Sequence, residues 1–262
     1  MPKTLNFYII FHSKLFKDNL KGFTDEEIQN WFSWVAVNET IPKQIPDWVP
    51  KDQLIYEYKL PNYNPMYQIN KFYQNSFFYH FNTNKQLYTS RYIGFGQYDM
   101  KFNAEEFRSI MAMLENDSAD KVVTLFPYPP EGVIFGSPEL ETYFTETFIK
   151  PYEQYTHITH SLESLAKWPL FLMHSFIVPS WFFKQMMEFM EWNLPTILKS
   201  LDWNLQHLAG TLERLFALCI SAGIEEGRFR KVLHIRKTDH NGAQHSGDPF
   251  RNIPTGKEFK SQ

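Results

Sequence analysis

Apolar residues fall along this chain in short unbroken blocks separated by polar stretches, the pattern of strands buried on both faces alternating with amphipathic helices. Leu5 to Phe11 is the first such block, and the chain leaves it through His12-Ser13-Lys14. In a doubly wound α/β fold the carboxyl end of a first strand is where a nucleotide binds; a solvated loop after an edge strand accounts for the same three residues. Thr24 with Glu27 has capping-box spacing and predicts a helix start. Phe32 to Val37 then reads either as that helix continuing or as a second strand. Pro42, Pro46 and Pro50 enforce a loop before a short strand over Leu54 to Tyr58.

Asn64-Pro65 pairs an N-cap with proline at the first helical position and predicts a helix to about Phe81, its aromatic face packed beneath the next strand. That strand, through Ile93, runs into Gln97-Tyr98-Asp99 before a new helix capped by Asn103 with Glu106. Asp99 thus either closes a buried strand at a ligand-binding edge or merely starts a turn. Gly94 and Gly96 leave room for another backbone or a flat ligand.

Lys121 to Phe126 predicts a parallel strand ending in a proline-rich rim, Pro127 to Gly132. Pro138 to about Tyr155 reads as a helix, followed by His157 and His160. Their i, i+3 spacing suits a metal on one helical side, but with no HExxH or carboxylate partner they read better as surface residues. Phe171 to Val178 reads as one buried strand with His174-Ser175 in its middle, polar groups that need partners. A long helix starts at Pro179-Ser180 and is broken or restarted at Pro195, and another runs from Asn204 to about Ala222, closed by Gly223. Glu213-Arg214 sits inside that last helix among Leu212, Leu215 and Phe216, so these charges need either pairing or a cavity. Arg230 to Ile235, with His234, is the last strand, and a polar extended tail follows over 237–262.

Composition narrows the class. Hydrophobic residues make up 43% and aromatic residues 18% of 262 residues, enough for a large core. A net charge of −3 without a long Lys/Arg block argues against a nucleic-acid partner. The single cysteine, Cys219, excludes an internal disulfide framework or a Cys-rich zinc site and fits a reducing, cytoplasmic setting. Phe7 to Phe11 is too short for a signal-peptide core, and polar residues interrupt Leu170 to Leu201, so no secretion signal or transmembrane span is expected. Neither a Walker loop nor a GxGxxG or GxSxG motif is present.

Three places give the chain a likeness spread over residues 5–235: His12 with Lys14 after the first strand, Ile93-Gly94 leading to Tyr98, and Glu213-Arg214-Leu215. In these it resembles nucleotide-sugar glycosyltransferases of the capsular-polysaccharide type, a GT-A-like family of bacteria and, in divergent form, of large algal viruses. Gln97-Tyr98-Asp99 keeps the family's tyrosine but not its arginines, and only the final acid of an Asp-X-Asp motif. Gly210 is displaced by one position from the family's helix glycine.

The resemblance implies an α/β, GT-A-like single domain over 1–236, with a mostly parallel central sheet flanked by helices. It implies transfer of a monosaccharide from a nucleotide sugar, a UDP-sugar such as UDP-xylose or else a GDP-sugar, to a glycan hydroxyl, with a viral capsid glycan as one acceptor. His12, Lys14, Tyr98 and Arg214 would bind the donor, His174 and Ser175 would orient a sugar, and Glu213 would be the base. Asp99, with His234, would hold a manganese or magnesium ion, or Lys14 and Arg214 would replace the metal. The alternative is a non-catalytic carbohydrate-binding or capsid-associated protein whose aromatic residues supply binding alone.

Overall fold

The structure is a computed structural model and describes residues 3–125, 127–128, 130, 133–172, 174–235 and 239–240. Its strands in chain order are β1 (Lys3–Phe11), β2 (Phe32–Ala36), β3 (Leu54–Tyr56), β4 (Ser90–Gln97), β5 (Met100–Lys101), β6 (Lys121–Thr124), β7 (Pro127–Tyr128), β8 (Leu170–Phe171), β9 (Phe176–Pro179), β10 (Lys231–His234) and β11 (Asp239–His240). Seven of them build the central sheet in the order β10-β6-β9-β4-β1-β2-β3. Every pairing in it is parallel except those of β9, which runs antiparallel to both β4 and β6. Two small antiparallel ribbons, β5 with β11 and β7 with β8, stand apart from it.

The helices are α1 (Asp25–Trp31), α2 (Met66–Ile69), α3 (Asn75–Thr83), α4 (Ala104–Asn116), α5 (Pro138–Phe144), α6 (Lys150–Thr156), α7 (Leu162–Leu165), α8 (Ser180–Ser200) and α9 (Leu208–Glu225). The period-two alternation of β1 sorts its side chains to opposite faces. Phe7, Ile9 and Phe11 join one apolar cluster with α1 and α4, whereas Tyr8 and Ile10 join the other with α3, α8 and α9. This is a mixed α/β fold of three layers with helices on both faces of the sheet.

The capping box at Thr24 and Glu27 forms with both of its bonds, and Asn103 caps α4 through Glu106 N–H. Phe32 to Ala36 is a strand rather than a helical extension. As expected, Phe77, Phe78 and Phe81 lie against Phe95 of β4, with ring centroids at 6.4, 4.6 and 5.9 Å.

Several expectations need correction. The helix expected from Asn64 to Phe81 is two helices, because Lys71 (φ 60°) and Tyr73 (φ 52°) adopt left-handed backbone that stops the hydrogen-bond ladder. The strand expected over Phe171 to Val178 is broken by His174 at φ 52°, leaving β8 and β9 on either side. Pro195 does not interrupt α8: the carbonyl of Glu191 loses its N–H partner, but both residues are exposed and water can serve it. Gly223 lies inside α9, where a Cβ would come within 2.6 Å of the Phe182 ring. The helix ends instead at Gly227 (φ 69°), in a Schellman motif with Arg228 N–H on Gly223 O at 3.0 Å and Gly227 N–H on Ile224 O at 2.9 Å. His157 is exposed at the end of α6, but the imidazole of His160 is only 6% exposed, its Nε2 2.9 Å from Glu226 Oε1.

Gly94 and Gly96 admit no ligand, since the Phe7 ring fills the space above both. A Cβ on Gly94 would overlap that ring and come within 3.0 Å of Ile177. Phe7 is itself held between Phe32, Phe102 and Phe107. Gly94→Ala is therefore expected to destabilise the protein by about 1–3 kcal/mol through overpacking. Urea unfolding tests this, and an unchanged midpoint would mean the ring moves aside freely.

Of the proline-rich rim, residues 129, 131 and 132 lie outside the described residues, as do 237–238 and 241–262 of the expected tail; its Asp239–His240 forms β11. Among the described residues no helix is long and apolar enough to cross a membrane.

Candidate functional site at the carboxyl edge of the sheet

The parallel strands all finish at one edge, and the start of antiparallel β9 lies there too. Beyond β4, Tyr98 N–H continues the pairing onto Ile10 O at 3.1 Å, which sets Tyr98 beside His12. Their rings meet edge to face at 5.0 Å and 76°. Asn19 ties down the turn that carries Asp99: its Nδ2 donates to Tyr98 O at 2.7 Å, and its own carbonyl accepts from Phe102 N–H at 2.9 Å. Beneath this turn a cavity of about 10 Å³, lined partly by Trp34, Gln97 and Tyr98, has room for roughly one water.

Electrostatics link the same groups. Burial lowers the pKa of His12, the charge of Asp99 opposes that shift, and Lys43 reinforces it. Burial, then the charge of Asp99, raises the Tyr98 hydroxyl. Lys43 hangs from the loop after β2, its amine donating to the carbonyls of Asn38 and Ile41. Partial burial lowers its pKa against the opposing charges of Glu57 and Glu39. Lys14 is exposed, with its amine 5.7 Å from the Phe16 ring centroid.

The kink at His174 sends two consecutive side chains to different partners. Ser175 Oγ donates to Met100 Sδ at 3.0 Å, directly after Asp99. His174 instead reaches the helical layer, with Nε2 2.7 Å from Asn75 Oδ1. Burial lowers the pKa of His174, so the ring is neutral near pH 7; the charge of Glu213 opposes that shift. Nε2 must then carry the proton that Asn75 accepts, and the buried Nδ1 has no hydrogen-bond partner among the described residues. Asn75 Nδ2 donates to Phe72 O at 3.0 Å and Ala209 O at 3.3 Å, fastening α3 to the start of α9. Glu213 and Arg214 follow in the second turn of α9, both half-buried, and Arg214 Nη1 donates to Gly210 O at 2.8 Å.

The edge therefore brings together His12, Tyr98 and Asp99 on one side and His174 with Glu213 on the other, joined through Met100 and Ser175. Register places His234 level with Thr124, Phe176 and then Phe95, three strands from β4 or about 14 Å at that level, and beyond it β11 returns the chain to Met100, next to Asp99. Among the described residues no group of three His, Cys, Asp or Glu side chains is gathered to hold a metal. A magnesium-type site needs only one or two carboxylates when substrate phosphates supply other ligands, and this edge carries the carboxylate of Asp99.

Sequence reading missed three residues of this edge. Asn19 and Asn75 gave no signal, since their importance lies in contacts across long stretches of chain. Lys43, between two prolines in an irregular loop, could have been found only by asking which cations follow β2.

No protein-family model matches the sequence. No curated protein matches it either. Among solved structures, the chain is similar to the apo form of WbbM, a bifunctional glycosyltransferase, with a TM-score of 0.55 and 13% identity over 89% of this chain and 45% of that one. It thus spans less than half the length of WbbM. The mannosyltransferase Ktr4p of S. cerevisiae is matched at a TM-score of 0.39 and 11% identity over 90% of this chain and 70% of that one, too low a score to establish a common fold. The likeness to WbbM, with the seven-stranded and mostly parallel sheet flanked by helices, gives this chain the GT-A-like α/β fold that its sequence led us to expect.

Proposed function

We propose that this chain is a glycosyltransferase moving a monosaccharide from a nucleoside diphosphate sugar to a hydroxyl of a glycan. One observation carries the reading: the Asp99 turn and the Glu213 helix, far apart in sequence, face one sheet edge and are bridged by His174-Ser175. The fold shared with WbbM supports it.

In this reading Glu213 accepts the proton of the acceptor hydroxyl as its oxygen attacks the anomeric carbon. The bond from that carbon to the diphosphate breaks, and the nucleoside diphosphate leaves with the bonding electrons. Asp99 would hold a manganese or magnesium ion, and such an ion would supply charge neutralisation for the departing diphosphate. His12 and Tyr98 flank the donor, while Lys43, with Lys14 and Arg214, supplies fixed positive charge. Ser175 and the neutral His174 orient a sugar hydroxyl. The donor is a UDP-sugar in this reading, with a GDP-sugar as the competing arm.

The test is thermal unfolding with UDP, GDP or CMP, each with and without manganese. One nucleotide is expected to stabilise the protein by about 2.7 kcal/mol at a hundredfold excess over its Kd. Asp99→Ala is expected to keep the unfolding temperature of the free protein but lose the manganese-dependent part of the shift. Stabilisation by no nucleotide would overturn the reading in favour of a protein that binds glycans without transferring them.

A further inference from the structure

About 9 Å along α9 from Glu213, and lined by none of the strand-edge residues, α6, α8 and α9 enclose a cavity of about 300 Å³ whose floor includes Cys219. Tyr152, Phe182 and Phe189 form aromatic walls. Tyr155 of the lining meets Trp192, just outside it, with ring centroids at 5.3 Å, and the two residues are exposed by 38% and 43%. Polar groups complete the lining: Gln185, Glu188 and Arg228.

We propose that this cavity is a second glycan-binding site, taking one or two sugar units of a neutral oligosaccharide. Charge excludes the other ligand classes. Arg228 is already compensated, its Nε paired with Glu226 and its Nη1 donating to Gln185 Oε1 at 2.7 Å. An anionic ligand would find no spare cation there and would face Glu188. A purely apolar ligand would desolvate the Glu188 carboxylate, which Lys184 approaches only to 3.8 Å. A pyranose matches both halves of the lining, because its C–H faces stack on aromatic rings and its hydroxyls bond amide and carboxylate groups.

The site rests on the transferase reading for its purpose, though not for its chemistry. A glycan held here while another part of it lies at the strand edge is kept at high effective concentration, so longer acceptors are favoured without new contacts at the reacting bond.

Titration of the full chain with neutral xylo-, manno- and gluco-oligosaccharides of increasing length, followed by tryptophan fluorescence, tests the proposal. One series is expected to bind, and Tyr155→Ala and Trp192→Ala are each expected to weaken that binding roughly tenfold at an unchanged unfolding temperature. Asp99→Ala should leave it intact. Binding by no series, or binding unchanged in both aromatic variants, overturns the proposal. A chain that binds oligosaccharides here but no nucleotide would sink the transferase reading alone.

Discussion

Glu213→Gln is expected to leave nucleotide affinity within about twofold of wild type while slowing sugar transfer by about 10²–10⁴-fold, the range spanned by a positioned general base. The substitution keeps the shape and a carbonyl acceptor but removes the group that takes the acceptor proton. Glu213 is half-buried near the His174 ring, and that ring is neutral and bonded through Nε2 to Asn75. Single-turnover transfer with a bound donor reads the chemical step, and the unfolding temperature separates the alternatives. Loss of stability with normal transfer in the surviving folded fraction would assign Glu213 to holding α9 in place.

Glu57→Ala should have the largest effect on stability, about 3–5 kcal/mol, because it leaves buried partners uncompensated. Glu57 and His80 are both fully buried, with His80 Nδ1 2.7 Å from Glu57 Oε1. His80 Nε2 accepts from Asn64 N–H at 2.8 Å, so the ring proton sits on Nδ1 and is donated to the carboxylate. Ser76 Oγ donates to the same carboxylate at 2.5 Å, and Gln68 Nε2 at 3.2 Å. The network fixes α3, whose first residue, Asn75, holds His174 at the strand edge. Glu57→Gln keeps an acceptor for His80 and should cost less. A urea midpoint unchanged in Glu57→Ala would show that the network contributes specificity rather than stability.

Much of the scaffold was legible because it obeys local rules. The apolar blocks of β1, β4, β6 and β10 are buried strands, and Thr24 and Asn103 cap the helices that their spacing predicts. Local rules failed where tertiary contacts prevailed. His174 takes a left-handed conformation without being glycine, and its bond to Asn75 spans 99 residues of sequence. Gly223 reads as a helix stop, yet its missing side chain serves the approach of Phe182. Of the edge, the residues just after strands were legible from position alone. The partners that orient them, Asn19, Asn75 and Lys43, belong to loops and helix starts whose sequence carries no trace of the contact.

The reversed strand β9 also dictates an order of events during synthesis. β4 ends at Gln97, but the strand that joins it to β6 begins only at Phe176. A ribosome adding ~5–20 residues per second leaves the free edge of β4 waiting for several seconds. During that interval the nascent chain holds half a sheet with an open hydrogen-bonding edge, a target for chaperones or for another nascent copy. The two residues emerging just before the closing strand are His174 and Ser175. Joining β4 to β6 and delivering His174-Ser175 to the edge are therefore one step, which α9 with Glu213 and the outer strand β10 follow.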